Sequence, residues 1–110
     1  MNIGVLGTGM VGETIATALI EKGHKVRMGS RSATNEKAAA WVKKSKDNAT
    51  QGDFNDAAAF GEIVFLCLNG AYALDAVRSI DAASVSGKIV IDVTNPLDFS
   101  QGMPPRLLDG

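Results

Sequence analysis

Short apolar runs alternate along the chain with segments whose apolar residues recur every three or four positions. "NIGVL", Asn2 to Leu6, is an apolar run halted by glycine, the pattern of a buried strand. In "VGETIATALIEKG", Val11, Ile15, Ala18, Leu19 and Lys22 fall at helical spacing, and Gly23 supplies the stop. A second strand is read from Lys25 to Met28. "TNEKAAAWVKKSK" then predicts a helix with Ala38, Trp41 and Val42 on one side and lysines on the other, Thr34 and Asn35 being suited to cap it. Ala49 to Gln51 makes a brief third strand, and Asn55 is suited to cap a short helix from Asp56 to Phe60. "EIVFLCL" is apolar on both faces, as a central parallel strand requires. "AYALDAVRSI" is a helix with Ala73, Val77 and Ile80 in register, and "KIVIDV", Lys88 to Val93, is the fifth strand. The remainder, "TNPLDFSQGMPPRLLDG", is loop-like and rich in Pro and Gly.

Strands spaced by helices imply right-handed crossovers and a parallel sheet covered on both faces. The expected architecture is a doubly wound α/β sheet of strand order 3-2-1-4-5. Its ligand crevice is expected at the carboxyl edge, between the first and fourth strands. The dinucleotide-binding domain is placed at residues 1–97, and residues 98–110 form a tail expected to lead into a further segment, no second domain being present.

Bulk properties narrow the function classes. A chain of 110 residues is one domain. Its net charge of −1 supplies no field for nucleic acid or an acidic membrane surface. One cysteine, Cys67, excludes an internal disulfide framework and fits a reducing compartment. Nothing after Met1 reads as a signal peptide or as an apolar run of membrane length, so the expected location is the cytoplasm.

The chemistry concentrates in "GTGMVG", Gly7 to Gly12, which follows the first strand directly and opens the first helix. Gly7 permits the tight turn, Gly9 lets the backbone approach a pyrophosphate, and Gly12 lets the helix pack close to the sheet. The helix N-terminus adds free N–H groups and partial positive charge. This is the dinucleotide-binding fingerprint of a Rossmann sheet. Its cofactor is decided at "RMGSRS", Arg27 to Ser32. An acidic residue at the end of the second strand would bond the ribose hydroxyls and repel a 2′-phosphate. Here stand Ser30, with a hydroxyl, and Arg31, with a planar fork suited to phosphate, and Lys37 follows one helical turn into the next helix. The pattern reads as NADP(H) rather than NAD(H).

Taken together, "IGVLGTGMVGETIATALIEKGHKVRMGSRS", "IVFLCL" and "GKIVIDVTNPL" resemble the deazaflavin-dependent NADP reductases (coenzyme F-420:NADP oxidoreductases) over nearly the whole chain. The NADPH domain of the STEAP-type ferric reductases is similar. The resemblance implies that Thr8, Met10 and Val11 line the pyrophosphate turn and that Ser30, Arg31 and Lys37 hold the 2′-phosphate. It also implies that Leu68 and Asn69, after the fourth strand, and Asn95 and Pro96, after the fifth, approach the nicotinamide. The proteins resembled are longer, with a sixth strand and a helical part that completes the substrate pocket and the dimer. Many carry a proline where this chain has "LCLNGAY".

No catalytic acid–base set or metal cluster is readable. His24 and the lysines at 43, 44 and 46 read as surface, Trp41 and Cys67 as core, Asp92 as a cap for the turn that follows, and Tyr72, at a helix start, as a poor proton donor. Hydride transfer to a flavin-like ring needs orientation more than proton shuttling. The expected function is an NADP(H)-dependent oxidoreductase domain whose partner is a small-molecule hydride acceptor, flavin or deazaflavin, in a chain that forms a homodimer. Two alternatives stay open: a stand-alone NADP(H)-binding or sensing module, and a fragment of a β-hydroxyacid or pyrroline-carboxylate type reductase.

Overall fold

A computed structural model describes residues 1–45, 47–68 and 76–93. In it the apolar runs form strands β1 (Asn2–Leu6), β2 (Lys25–Ser30), β3 (Ala49–Asp53), β4 (Ile63–Leu66) and β5 (Ile89–Asp92). Between them lie helices α1 (Met10–Glu21), α2 (Glu36–Lys44), α3 (Phe54–Phe60) and a single-turn α4 (Ala82–Val85), with further helical residues at 76–78. Every strand pairing is parallel, and the order is β3-β2-β1-β4-β5. This is the doubly wound Rossmann sheet expected from the alternation of elements.

Side-chain alternation divides the core in two. Ile3 and Val5 of β1, with Val26 and Met28 of β2, face α1 and α2 and pack with Ala16, Ile20, Ala38 and Trp41. Leu6 and Val64 face the other way and pack with Phe54, Ala57 and Ala76. The indole N–H of Trp41, almost wholly buried, donates to Thr17 Oγ1 at 3.1 Å, so the largest core side chain carries no unmet donor.

Several boundaries differ from the sequence reading, each for a local reason. The buried stripe of α1 is Gly12, Ala16 and Ile20, whereas Val11 and Ala18 are exposed. Small residues at two of those positions let the helix sit close to the sheet. β2 runs two residues past Met28, through Gly29 and Ser30, because a glycine there fits under Ala57: an added Cβ would lie 2.7 Å from the Ala57 Cβ. β3 likewise continues to Asp53. The cap of α3 is Asp53, not Asn55. Asp53 Oδ1 accepts from the Asp56 N–H at 2.7 Å and Asp56 Oδ2 accepts from the Asp53 N–H at 3.1 Å, a reciprocal capping box. Asn55 instead accepts from the Asp81 N–H and the Ser84 hydroxyl, both at 2.9 Å, and ties α4 to α3.

β4 is only four residues long, so Cys67 and Leu68 lie beyond its ladder. In the helical stretch before α4, Ala76 is buried while Val77 is 49% exposed, which moves the inward face off the expected register. β5 spans Ile89–Asp92 rather than Lys88 to Val93 and closes one side of the sheet, with Ile89, Val90 and Ile91 exposed. Lys88, just before it, donates to the Ala58 and Ala59 carbonyls at 2.8 and 2.9 Å, satisfying the C-terminal end of α3. Among the described residues no helix is long and apolar enough to cross a membrane.

Candidate functional site

The turn after β1 is built by two close approaches. Gly7 has φ +130°, outside the range open to L side chains, and its N–H donates to the Gly29 carbonyl at 2.9 Å. Gly12 lies against it: an added Cβ at 12 would stand 2.4 Å from the Gly7 carbonyl oxygen. Gly9, the N-cap residue of α1, is different. Its backbone is extended, no described side chain caps the helix, and among the described residues nothing lies within 4 Å of where a Cβ would be. Among the described residues no packing demands glycine at position 9. The space its missing side chain leaves is at the mouth of α1, where first-turn N–H groups lack helix partners. This is the cradle that a pyrophosphate requires.

A cleft of about 470 Å³ opens at the carboxyl ends of β1, β2 and β4. Gly7, Thr8, Gly9, Ser30, Arg31, Asn35, Lys37, Phe54, Cys67 and Leu68 line it. A smaller depression of about 260 Å³, lined by Arg31, Asp53, Phe54, Asn55 and Ser79, adjoins it and shares Arg31 and Phe54. The structure thus brings together seven sequence-derived candidates: Gly7, Thr8, Gly9, Ser30, Arg31, Lys37 and Leu68. Gly12 lies buried beneath the turn. Met10 and Val11 are not brought into the cleft; they are 84% and 50% exposed, and Met10 borders the outer face of α1 beside Glu13, Thr14 and Thr17. Asn69, Asn95 and Pro96 lie outside the described residues, as do Lys46 and Tyr72.

Electrostatics at the end of β2 favour an anion. Arg31 and Lys37 are both exposed and both line the cleft. Two other carboxylates, Glu13 and Asp53, are engaged elsewhere. Glu13, in the first turn of α1, pairs with Lys44 of α2, and Asp53 is engaged in the capping box. Ser30 is 4% exposed, and its hydroxyl donates to the Ser32 carbonyl, so its proton is used within the loop. Beyond it, Ser32 Oγ accepts from the Thr34 N–H at 3.2 Å and meets the Thr34 hydroxyl at 3.0 Å. Asn35 caps α2 by accepting from the Ala38 N–H at 3.0 Å. The two caps foreseen for α2 reduce to Asn35 alone, and Thr34 belongs to the turn before it.

Cys67 faces the cleft from a buried position. Desolvation, assisted by the Asp92 carboxylate, pushes its thiol from 9.0 up to about 12. It is a neutral wall there, not a nucleophile. None of the described residues that line the cleft is His, Tyr, Asp or Glu, and among the described residues no group of His, Cys, Asp and Glu is placed to hold a metal ion.

Two residues escape sequence reasoning, one in the cleft lining and one behind it. Phe54 sits at the start of α3 and reaches the cleft only because β2 and β3 are adjacent. Gln51, on β3, touches the loop between β2 and α2: its Nε2 donates to the Ala33 carbonyl at 3.1 Å and the Asn35 carbonyl at 3.4 Å. No local motif marks either residue.

Comparison with known proteins shows the family. The family described as NADP oxidoreductase, coenzyme F420-dependent, matches residues 2–96. A protein from an Arthrobacter species assigned as an F420-dependent NADP-reductase superposes with a TM-score of 0.75 at 38% identity, covering 97% of this chain and 51% of its own. Imine reductases from Bacillus cereus and Streptomyces aurantiacus superpose with TM-scores of 0.70 and 0.71 at 25% and 20% identity. They cover 86% and 87% of this chain and 32% of their own, and the latter shares the fold alone at that identity. The chain therefore spans about half the length of the Arthrobacter protein and about a third of the imine reductases. No curated protein matches it.

Proposed function

Because the chain belongs to the coenzyme F420-dependent NADP oxidoreductase family, whose cofactor is NADP(H), we propose that it is the domain that holds NADPH for hydride transfer to a planar flavin-type acceptor. NADPH, when bound, supplies the hydride. The pyrophosphate rests against the bare backbone of Gly9 and the N–H groups at the start of α1. Arg31, with a fork suited to phosphate, and Lys37, as a point charge, would hold the 2′-phosphate. Leu68 and the Cys67 backbone form the wall that orients the reduced ring.

The observation that carries this reading is the pairing of an unobstructed Gly9 with two cations at the end of β2, in one cleft. The acceptor class rests on the cleft lining. A ketone or imine substrate calls for a proton donor at the reacting atom. The described lining offers no His, Tyr, Asp or Glu, and a thiol held at about 12 is a poor acid at neutral pH. A flavin or deazaflavin takes a hydride with less help, the protein supplying orientation. The whole reductase works as a dimer in this proposal, with the acceptor bound beside Leu68.

NADPH oxidation followed at rising concentrations of deazaflavin, flavin and a cyclic imine tests the reading. Saturable turnover with the ring acceptors, and none with the imine, is the expected result. Turnover with the imine alone would assign the chain to the imine reductases. Saturable NADPH binding with no turnover under any condition would make it a binding module.

A further inference from the structure

The loop between β2 and α2, residues 31–35, carries the cation that decides cofactor choice. It also carries carbonyl oxygens that a phosphate dianion would repel. Three of those carbonyls have side-chain donors. Ser32 O accepts from the Ser30 hydroxyl as well as from the Asn35 N–H. Ala33 O and Asn35 O both accept from the one amide group of Gln51, at 3.1 and 3.4 Å. Both partners are acceptors, so the amide must turn its NH₂ end to the loop. Gln51 does this from the next strand, 16 to 18 positions along the chain, where it pairs in register with Met28. It is half-buried and does not line the cleft.

We propose that Gln51 is a positioning residue for coenzyme selectivity. By holding the Ala33 carbonyl on β3, and by adding a second donor to the Asn35 carbonyl that already accepts from the Ala39 N–H at 3.0 Å, it keeps the loop's negative ends away from the 2′-phosphate and fixes the backbone from which Arg31 and Lys37 reach it. Gln51 touches no part of the coenzyme itself. Its influence is confined to the 2′-phosphate end, because the glycine turn at Gly7 to Gly9 is built by β1, α1, Cys67 and the Gly29 carbonyl of β2 and shares no hydrogen bond with Gln51 in the described structure. The inference rests on the reading of Arg31 and Lys37 as 2′-phosphate ligands.

The test is calorimetric titration of the whole chain with NADPH and NADH, for wild type and Gln51→Met, alongside thermal unfolding. Methionine keeps the length of the side chain and removes its donors. The expected result is a loss of about tenfold in NADPH affinity, the scale of one to two hydrogen bonds, with NADH affinity unchanged and the unfolding midpoint close to wild type. Gln51→Thr, a good strand residue too short to reach the loop, serves if the methionine variant does not fold. It should show the same selective loss. A variant that folds and keeps the wild-type NADPH:NADH ratio overturns the role of Gln51 while leaving the 2′-phosphate reading intact. A parallel loss of both coenzymes also overturns it, since that marks a general structural defect. A wild type that already binds the two equally overturns the 2′-phosphate reading, and the role of Gln51 falls with it.

Discussion

Gly7 and Cys67 stand back to back across the mouth of the sheet: a Cβ on Gly7 would lie 2.3 Å from the Cys67 carbonyl oxygen. With φ at +130°, Gly7 has neither the room nor the conformational freedom to become another residue. Gly7→Ala is therefore expected to destabilise the fold by about 2 kcal/mol or more, from backbone strain and displacement of the β4 end together. Urea denaturation checks this, and an alanine variant as stable as wild type would show that the turn relaxes freely.

Gly9 makes the opposite prediction. Among the described residues nothing opposes a side chain there. Gly9→Val should fold with a loss of only about 1 kcal/mol, the scale of replacing a favourable N-cap residue. It should nonetheless lose both NADPH and NADH, since the isopropyl group fills the pyrophosphate cradle. Circular dichroism melting and coenzyme titration on the same sample separate the two effects. Retained binding would mean that this glycine serves only the turn.

Arg31→Asp places an acid where NAD-selective sheets carry one. NADPH affinity should fall by about tenfold to a hundredfold, the scale of a lost charge-assisted pair, while NADH binding is spared or improved. The ratio of dissociation constants is the quantity to measure, because a nonspecific defect would lower both.

The Cys67 thiol gives a pH signature. Held near 12 in the folded chain against an ordinary 9.0, it keeps its proton folded while losing it unfolded between those values. Its contribution to stability is complete below pH 9.0 and is lost as pH rises toward about 12. The difference in unfolding free energy between wild type and Cys67→Ala should shrink from about pH 8 to about pH 10.5. The folded protein should also resist thiol reagents at neutral pH, and rapid labelling there would contradict the buried, neutral assignment.

What the sequence made legible was whatever is encoded locally. β1 and the glycine turn were readable because a short apolar run ended by G-x-G-x-x-G has few structural alternatives. Alternation gave the doubly wound sheet, and the dinucleotide-binding arrangement gave its order. The reading fails where a distant partner decides the local state, or where two neighbouring polar residues compete for one role. Gly29 and Ser30 look like a loop, yet they remain in β2 because β3 pairs beside them and Ala57 needs the space. Asn55 looks like a cap, but Asp53 wins because Asp56 completes the reciprocal pair with it. Ser30 lines the cleft as the sequence suggests, and the partner of its hydroxyl, Ser32 O, is set by the loop's fold. Gln51 was invisible, since a lone glutamine on an edge strand gains meaning only from the loop folded against it.

The central claim is that one cleft joins a pyrophosphate cradle at Gly9 to a 2′-phosphate site at Arg31 and Lys37. Side-by-side calorimetric titration of the purified chain with NADPH and NADH tests it most directly. The account predicts saturable one-to-one binding of NADPH with at least about tenfold preference over NADH, the scale of one charge-assisted contact to the extra phosphate. Equal affinity for the two coenzymes, or a preference for NADH, would contradict it.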